Sequence, residues 1–340
     1  MSRPLSRLST ATALGAVLAV AGCGGSGGTP ATPQGELVAS VSKLGEAGTV
    51  TTTLQLQTTA AALKGIARAG GNTLSADAAN GLVSAQLVIE TQKGGGGHSA
   101  FAVRAIDGGQ TLVELRVVGD TIYLQGDVNA ILTLAHKRSD LASLQTEAAQ
   151  LPPFAKALLD GKWVSLNAAA LSGLAGQVGG PTGSADASQG PRLLAELKGV
   201  LSRDVTVTKL GTDSRGDHLM VTGDANKLAA DIKSSIASSV PGGGALTDRL
   251  TVGAGSSRVV TLEAWVKDGA LTELSLDLAQ FAPKDKVPAG ATLPLTMTFD
   301  QSGDDISAPA GAVSIDLTQL GGLLSVLTGS SSVSGGSPAG

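Results

Sequence analysis

Apolar residues recur along this chain in two periods, and the two periods occupy different stretches. In residues 36–46, Leu37, Val38, Val41 and Leu44 fall on one helical face. Residues 50–57 then alternate, with Val50, Leu54 and Leu56 on one side and Thr or Gln on the other. That is the pattern of a half-buried strand. Residues 60–69 fit a helix ended by Gly70-Gly71. Four more strands follow, at 82–91, 99–106, 111–118 and 121–125, separated by the glycine-rich 94–97, by Asp107-Gly108-Gly109 and by Gly119-Asp120. A parallel return needs a crossover of roughly a dozen residues. Turns this short therefore predict an antiparallel meander.

Asp127 is placed to cap a helix over 128–137, and more helix follows over 141–159, interrupted at Pro152-Pro153. A short strand covers 161–166, and Asn167 can cap a helix over 168–174. The stretch 176–190 is rich in Gly, Ser and Pro and reads as a loop. The grammar then repeats. Leu193, Leu194, Leu197, Val200 and Leu201 form a helical stripe, and 205–210 and 218–222 pair as strands around a turn at 213–216. Gly223-Asp224-Ala225-Asn226 echoes Gly126-Asp127-Val128-Asn129, which predicts the same capping chemistry at a second helix, lined by Leu228, Ile232 and Ile236. Strong strands follow at 259–267, 271–278 and 293–299. Pro294 cannot donate to a ladder, so it belongs at an edge or a strand start. Leu317, Leu320, Leu324 and Leu327 suggest a closing helix.

The start of the chain has a different logic. Arg3 and Arg7 precede a charge-free, mostly apolar run over 8–20, and Val20-Ala21-Gly22 leads into Cys23, the only cysteine. A positive start, a short apolar run and a small-residue cut site describe a secretory leader. The run is shorter than the about 20 residues of a membrane span. It resembles a bacterial lipoprotein signal with its lipobox, which implies that Cys23 becomes the lipidated first residue of the mature protein. An ordinary secretory leader and an uncleaved anchor are the alternatives. Residues 24–35 read as a flexible tether. The expected organisation is therefore a signal peptide over 1–23, a tether over 24–35, a single domain over 36–328 and a disordered tail over 329–340.

Composition narrows the chemistry. Apolar residues make up 42% of the chain, enough for a core, but aromatics only 2%, so that core is aliphatic. The net charge of −4 offers no basic stripe for nucleic acid. A single cysteine permits no internal disulfide. His98, His136 and His218 lie in different elements with no partners at metal spacing, and Asp304-Asp305 reads as a solvated turn rather than a calcium site. A G-x-S-x-G match at 24–28 sits in the tether, without the strand and helix that a nucleophile needs. No cofactor, metal or catalytic group is expected, and the chain does not read as an enzyme. Trp163 and Trp265 anchor packing or line a ligand pocket. By alternation Trp265 falls beside Glu263 and Lys267, away from the aliphatic side, and is expected exposed or half-exposed; Tyr123 sits opposite Ile122 and Leu124 in the same way.

The order of these phrases is distinctive. A lipobox, tether and helix lead to a meander. Capped helices, Gly161-Lys162-Trp163-Val164 and the hairpin Ala264-Trp265-Val266-Lys267-Asp268-Gly269-Ala270-Leu271 come next. The domain closes on Phe299-Asp300-Gln301-Ser302-Gly303 and Ile306-Ser307-Ala308-Pro309-Ala310. Over about 36–327 this resembles the LppX/LprAFG lipoproteins of actinobacteria and, more broadly, the LolA/LolB-type fold. The resemblance implies an α+β fold: a curved antiparallel half-barrel with helices packed on the concave face, here of about nine to eleven strands. It also implies an apolar cavity for lipid acyl chains.

The function expected is that of an exported, membrane-anchored lipoprotein, held at the outer face of the cell membrane by lipid on Cys23 and carrying a lipid or other hydrophobic ligand. Candidate ligand-contacting positions, at a cavity or its rim, are Trp163, Trp265, Tyr123, Leu274, Leu276, Leu295 and Met297. The alternative is a structural or sensory envelope lipoprotein with a filled core that binds a protein partner, for example along an exposed strand edge.

Overall fold

The computed structural model describes residues 32–94, 99–134, 152–167, 202–228, 259–281, 287–303 and 305–315, with single positions at 199 and 230. Cys23, the tether over 24–31, His98, His136, Asp304 and the helices expected over 168–174, 193–201 (apart from 199) and 317–327 lie outside them.

The chain opens with helix α1 (Pro33–Glu46), which starts ahead of its apolar stripe. Thr32 accepts a bond from the Gly35 N–H at 3.1 Å, and Pro33 fills the first turn, where no N–H is needed. Strand β1 (Thr49–Leu56) follows, then α2 (Ala60–Ala69) and α3 (Ala76–Ser84). Part of α3 corrects the sequence reading, which began a strand at Leu82. Ser75 caps the Ala78 N–H at 3.1 Å and Asp77 lies in the first turn, so local capping holds these residues helical until β2 (Ala85–Lys93) begins. Strands β3 (Ser99–Asp107), β4 (Gln110–Val118) and β5 (Thr121–Gly126) complete the meander. Next come α4 (Val128–Leu134), α5 (Pro153–Leu159) and β6 (Val164–Asn167). The later strands are β7 (Val205–Asp213), β8 (Gly216–Asp224), β9 (Val259–Lys267), β10 (Ala270–Asp277), β11 (Pro294–Asp300) and β12 (Val313–Ser314). Leu278, expected at the end of a strand, instead begins a short 3-10 turn, Leu278–Phe281.

All twelve described strands form one open, curved sheet in the order β12-β6-β5-β4-β3-β2-β1-β11-β10-β9-β8-β7. The α+β class is as expected. Twelve strands exceed the expected number because β12, only two residues long, carries no readable alternation. It also supplies an exception to antiparallel pairing, lying parallel to β6. Pro294 is the first residue of β11, so its missing N–H costs the ladder little even though the strand is central. The turn Asp268-Gly269 has φ of 53° and 71°, the left-handed pair that matches the twist of a tight hairpin.

Period-2 alternation gives the sheet two unlike faces. One row runs Leu219, Ala264, Leu274, Met297, Leu54, Leu87, Ala105 and Val113 across eight strands. On the opposite face the matching row reads His218, Trp265, Glu273, Thr298, Thr53, Val88, Arg104 and Glu114. Helix α1 covers the apolar face over β7 to β11 and β1. Its Leu37, Val41 and Leu44 are all nearly inaccessible and join Leu54, Ile89, Leu219, Val221, Leu271, Met297 and Phe299 in the main core. Burying each such leucine contributes about 1.5–3 kcal/mol. Polar tethers fix the helix at both ends: the Gln34 amide donates to the Ser202 carbonyl at 2.8 Å, and Lys43 to the Asp268 carbonyl at 2.6 Å.

The opposite face is crossed by the segment that follows β11. The Ile306 N–H donates to Gln92 at 2.6 Å, Gln92 donates to Asp305 at 2.7 Å, and Arg116 donates to the Ser307 carbonyl at 3.2 Å. The segment then bends around the edge to pair as β12 with β6.

Candidate functional site

The apolar face is packed at its two ends and less so between them. At one end lies the main core under α1. At the other, Phe154 and Ala157 of α5 close on Val164, with Leu124, Leu158, Val313 and Ile315 around them. Pro153 sits in the first turn of α5, and the break at Pro152-Pro153 read in the sequence is what sets this helix over β6. Between the two cores run β3 and β4. Phe101, Val103 and Ala105 face Val117, Leu115 and Val113 across this pair, continuing to Ile122 and Leu166 on β5 and β6. Every one of these side chains is only half-buried. The middle of the sheet is thus a band of partly accessible Val, Leu and Ala, flanked by closed packing on both sides.

The band ends at the β3–β4 hairpin. A β-bulge there leaves Leu112 unpaired between Val113, opposite Ala105, and Thr111, opposite Ile106. Asp107, four residues beyond Val103 on an unbulged strand, stays on the apolar face. Asp127 holds helix α4 against this end. One carboxylate oxygen accepts from the Ala130 N–H at 2.8 Å and the other from the Gln110 amide at 2.7 Å. The echo at Asp224 behaves alike, accepting from the N–H groups of Asn226 and Lys227 at 2.9 and 3.0 Å. Both caps were legible in the sequence.

The seven candidate ligand-contacting residues are divided by the sheet. Leu274 and Met297 are register partners inside the main core, 8% and 4% exposed. Leu276 and Leu295 pair in the next row of the same face, between Leu262 and Leu56, and are half-buried. Trp163, Tyr123 and Trp265 belong to the opposite face. Tyr123 is the register partner of Arg116, whose guanidinium lies 4.8 Å from the centre of the Trp163 ring. These two aromatics form one half-buried group beside the crossing segment.

Trp265 stands apart on β9 and corrects an expectation. Alternation does set it on the polar face, yet it is 2% exposed rather than half-exposed. Polar neighbours do the burying. His218 stacks on one side, Arg215 lies 3.8 Å from the ring centre, and the indole N–H donates to Asp213 at 3.1 Å. The Asp213 carboxyl is held below its ordinary range, first by the Arg215 backbone N–H and then by the Trp265 and Arg215 side chains. Among the described residues no group of His, Cys, Asp and Glu could hold a metal ion. His218 faces Glu263 at 3.3 Å and Asp305 is bonded to Gln92, so neither stands among ligands.

Sequence reasoning did not single out the β3–β4 band. Val103, Val113, Leu115 and Val117 have the alternation of any half-buried strand, and among the described residues they belong to neither of the two buried clusters. No described helix is long and apolar enough to cross a membrane. No family model and no curated protein matches the sequence. Among solved structures, the chain is similar to the lipoprotein LppX of Mycobacterium tuberculosis, with 12% identity over 82% of this chain and 98% of that one, at a TM-score of 0.33.

Proposed function

We propose that this protein is an exported lipoprotein, anchored at the outer face of the cell membrane through lipid on Cys23, that binds a lipid or other hydrophobic ligand along the apolar side of β3 and β4. The observation that carries the reading is the half-buried band of Val103, Ala105, Val113, Leu115 and Val117 between two closed cores. Covering apolar surface stabilises a complex by about 25 cal/mol per Å² removed from water. An aliphatic, unbranched chain suits a surface made of Val, Leu and Ala better than a flat aromatic does. The leader ending at Cys23 supports placement at a membrane, where such chains are found. Stable anchoring takes two lipid signals or more, so a multiply acylated cysteine would hold the domain there.

Native mass spectrometry of the exported chain carrying Cys23→Ser tests this, with organic extraction of the same sample. Lipid near one per chain is expected. Protein that stays ligand-free after incubation with lipid would sink the reading.

A second reading has its own observation. β7 is the other outer strand of the sheet, exposed at most positions, with Leu210 49% exposed. Such an edge can accept a strand from a protein partner. A ligand-free result would make that partner-binding role the better account.

A further inference from the structure

We propose that the end of the sheet holding α2, α3 and α4 is the surface by which this protein rests on the lipid bilayer. The proposal rests on the reading of Cys23 as the lipid-bearing residue and says which face that anchor turns to the membrane. The register separates the two ends of the sheet. β1 leaves at this end into α2, α3 enters β2 there, and β5 leaves into α4. The Asp107–Gln110 turn, the 3-10 turn Leu278–Phe281 and the starts of β7 and β9 lie at the same end. Six large apolar side chains are exposed among the described residues, and five of them are here: Leu82, Ile131, Leu134, Val259 and Phe281. The sixth, Leu210, lies along the β7 edge. The turns at the opposite end carry Asp120, Asp213, Arg215, Lys267 and Asp268, all exposed. Exposed apolar groups gathered in one place mark a surface that meets a protein or a membrane. Charged turns are costly to take into lipid.

The point where the chain enters the fold makes the membrane, rather than a protein, the occupant. Gln34, in the first turn of α1, donates to the Ser202 carbonyl at 2.8 Å, beside the start of β7. Lys43, in the last turn, donates to the Asp268 carbonyl at the opposite end. The chain coming from Cys23 therefore joins the domain at the apolar end. Fully extended, residues 24–32 span at most about 30 Å. As a relaxed Gly-rich chain they span about 15–18 Å. Strands of nine residues such as β8 and β9 are themselves about 30 Å long. Lipid on Cys23 thus holds the apolar end close to the bilayer, whereas turning the charged end down would use the whole reach of the tether. The β3–β4 band finishes at the same end, beside Ala105 and Val113, so an acyl chain leaving the bilayer there reaches the band by the shortest path.

The test uses the full exported chain in vesicles of phosphatidylethanolamine and phosphatidylglycerol. Lipid on Cys23 occupies the only native thiol, so single cysteines can be labelled in turn. Leu82→Cys and Phe281→Cys report on the apolar end, and Asp120→Cys and Ser214→Cys on the other, all at exposed positions. A fluorophore on each is exposed to lipids that carry a nitroxide quencher on the acyl chain. Quenching at 82 and 281 is expected to exceed that at 120 and 214 at least threefold. Equal quenching at both ends, or more at 120 and 214, on chains that float with the vesicles would overturn the proposal and leave the anchor standing. Labels at 82 and 281 that are shielded from water yet unquenched would place a second copy of the chain there, which also overturns it. If Cys23 carries no lipid and the chain does not float, the anchoring reading falls and this proposal falls with it.

Discussion

The rings of His218 and Trp265 stack with centroids 4.4 Å apart and planes 9° from parallel, on the face of the sheet opposite the aliphatic core. They are direct register partners on β8 and β9. With Arg215 also within cation–π distance of the indole, the polar face has a small packed core of its own. Trp265→Ala should therefore destabilise the protein like a core truncation, by about 3–5 kcal/mol. His218→Ala, which removes the stacked ring and its contact with Glu263, should cost less, about 1 kcal/mol. Urea titration measures both. A Trp265→Ala loss below that of His218→Ala would mean the indole is not a packing centre.

On the other side of β8, Asp217 links the sheet to α1. Lys209 and Thr212 donate to it at 2.6 Å each, and its pKa is lowered to about 2. Glu36, in the first turn of α1, is shifted upward by burial and by its hydrogen bond with Asp217. The unfolded chain takes up a proton near the ordinary aspartate value of about 3.9, and the folded chain only near 2. Asp217 thus contributes stability that is complete above that ordinary value and is lost as pH falls through about 2. Lys209→Met should flatten the fall in stability between these limits, which an acid titration followed by tryptophan fluorescence will show. An unchanged slope would remove Lys209 from the account.

The two halves of the apolar face should respond differently to substitution. Leu44→Ala, in the core under α1, should cost about 2–5 kcal/mol. Leu115→Gln, in the half-buried band, should cost less than about 1 kcal/mol, since the amide end can reach solvent. It should also reduce the lipid retained by the purified chain at least twofold. Paired urea titration and lipid quantification check this, and equal destabilisation at the two positions would argue that the band is core.

The hairpin between β7 and β8 leaves no room at Gly216. A Cβ added there would stand 2.3 Å from the Val266 carbonyl oxygen on β9, and φ is +124°. Gly216→Ala should cost more than about 2 kcal/mol and loosen the β8–β9 edge first. Hydrogen exchange of the Leu219 and Val221 amides reports it, and a neutral substitution would contradict the packing.

The last strand is held lightly. The Val313 and Ile315 N–H groups donate to Trp163 and Ser165 at 2.9 and 2.8 Å, and the pairing is parallel and two residues long. Their amides should exchange about tenfold or more faster than that of Leu115, as expected for a locally opening unit. Equal protection would show that β12 is as firmly built as the meander.

What the sequence determined by itself was mostly local. Period-2 alternation with Gly-containing turns set the strands of the meander and the β9–β10 hairpin, because short turns admit only antiparallel neighbours. The caps at Asp127 and Asp224 were visible for the same reason: a carboxylate reaches N–H groups two or three residues away. Alternation also told which face each side chain takes, and it placed Trp265 correctly on the polar one. It could not tell how deeply that residue is buried, since the partners that cover it, Asp213, Arg215 and His218, come from the neighbouring hairpin. Tertiary structure decided the rest. It joined β1 to β11, far apart in the chain, into one sheet, and carried the segment after β11 across the polar face to a strand too short to read. It separated Trp163 and Tyr123 from Leu274 and Met297 by the thickness of the sheet. Above all, it left Val103, Val113 and Leu115 half-covered while burying identical residue types under α1 and α5. Periodicity assigns a face, but only the placement of helices over that face decides which part of it stays open.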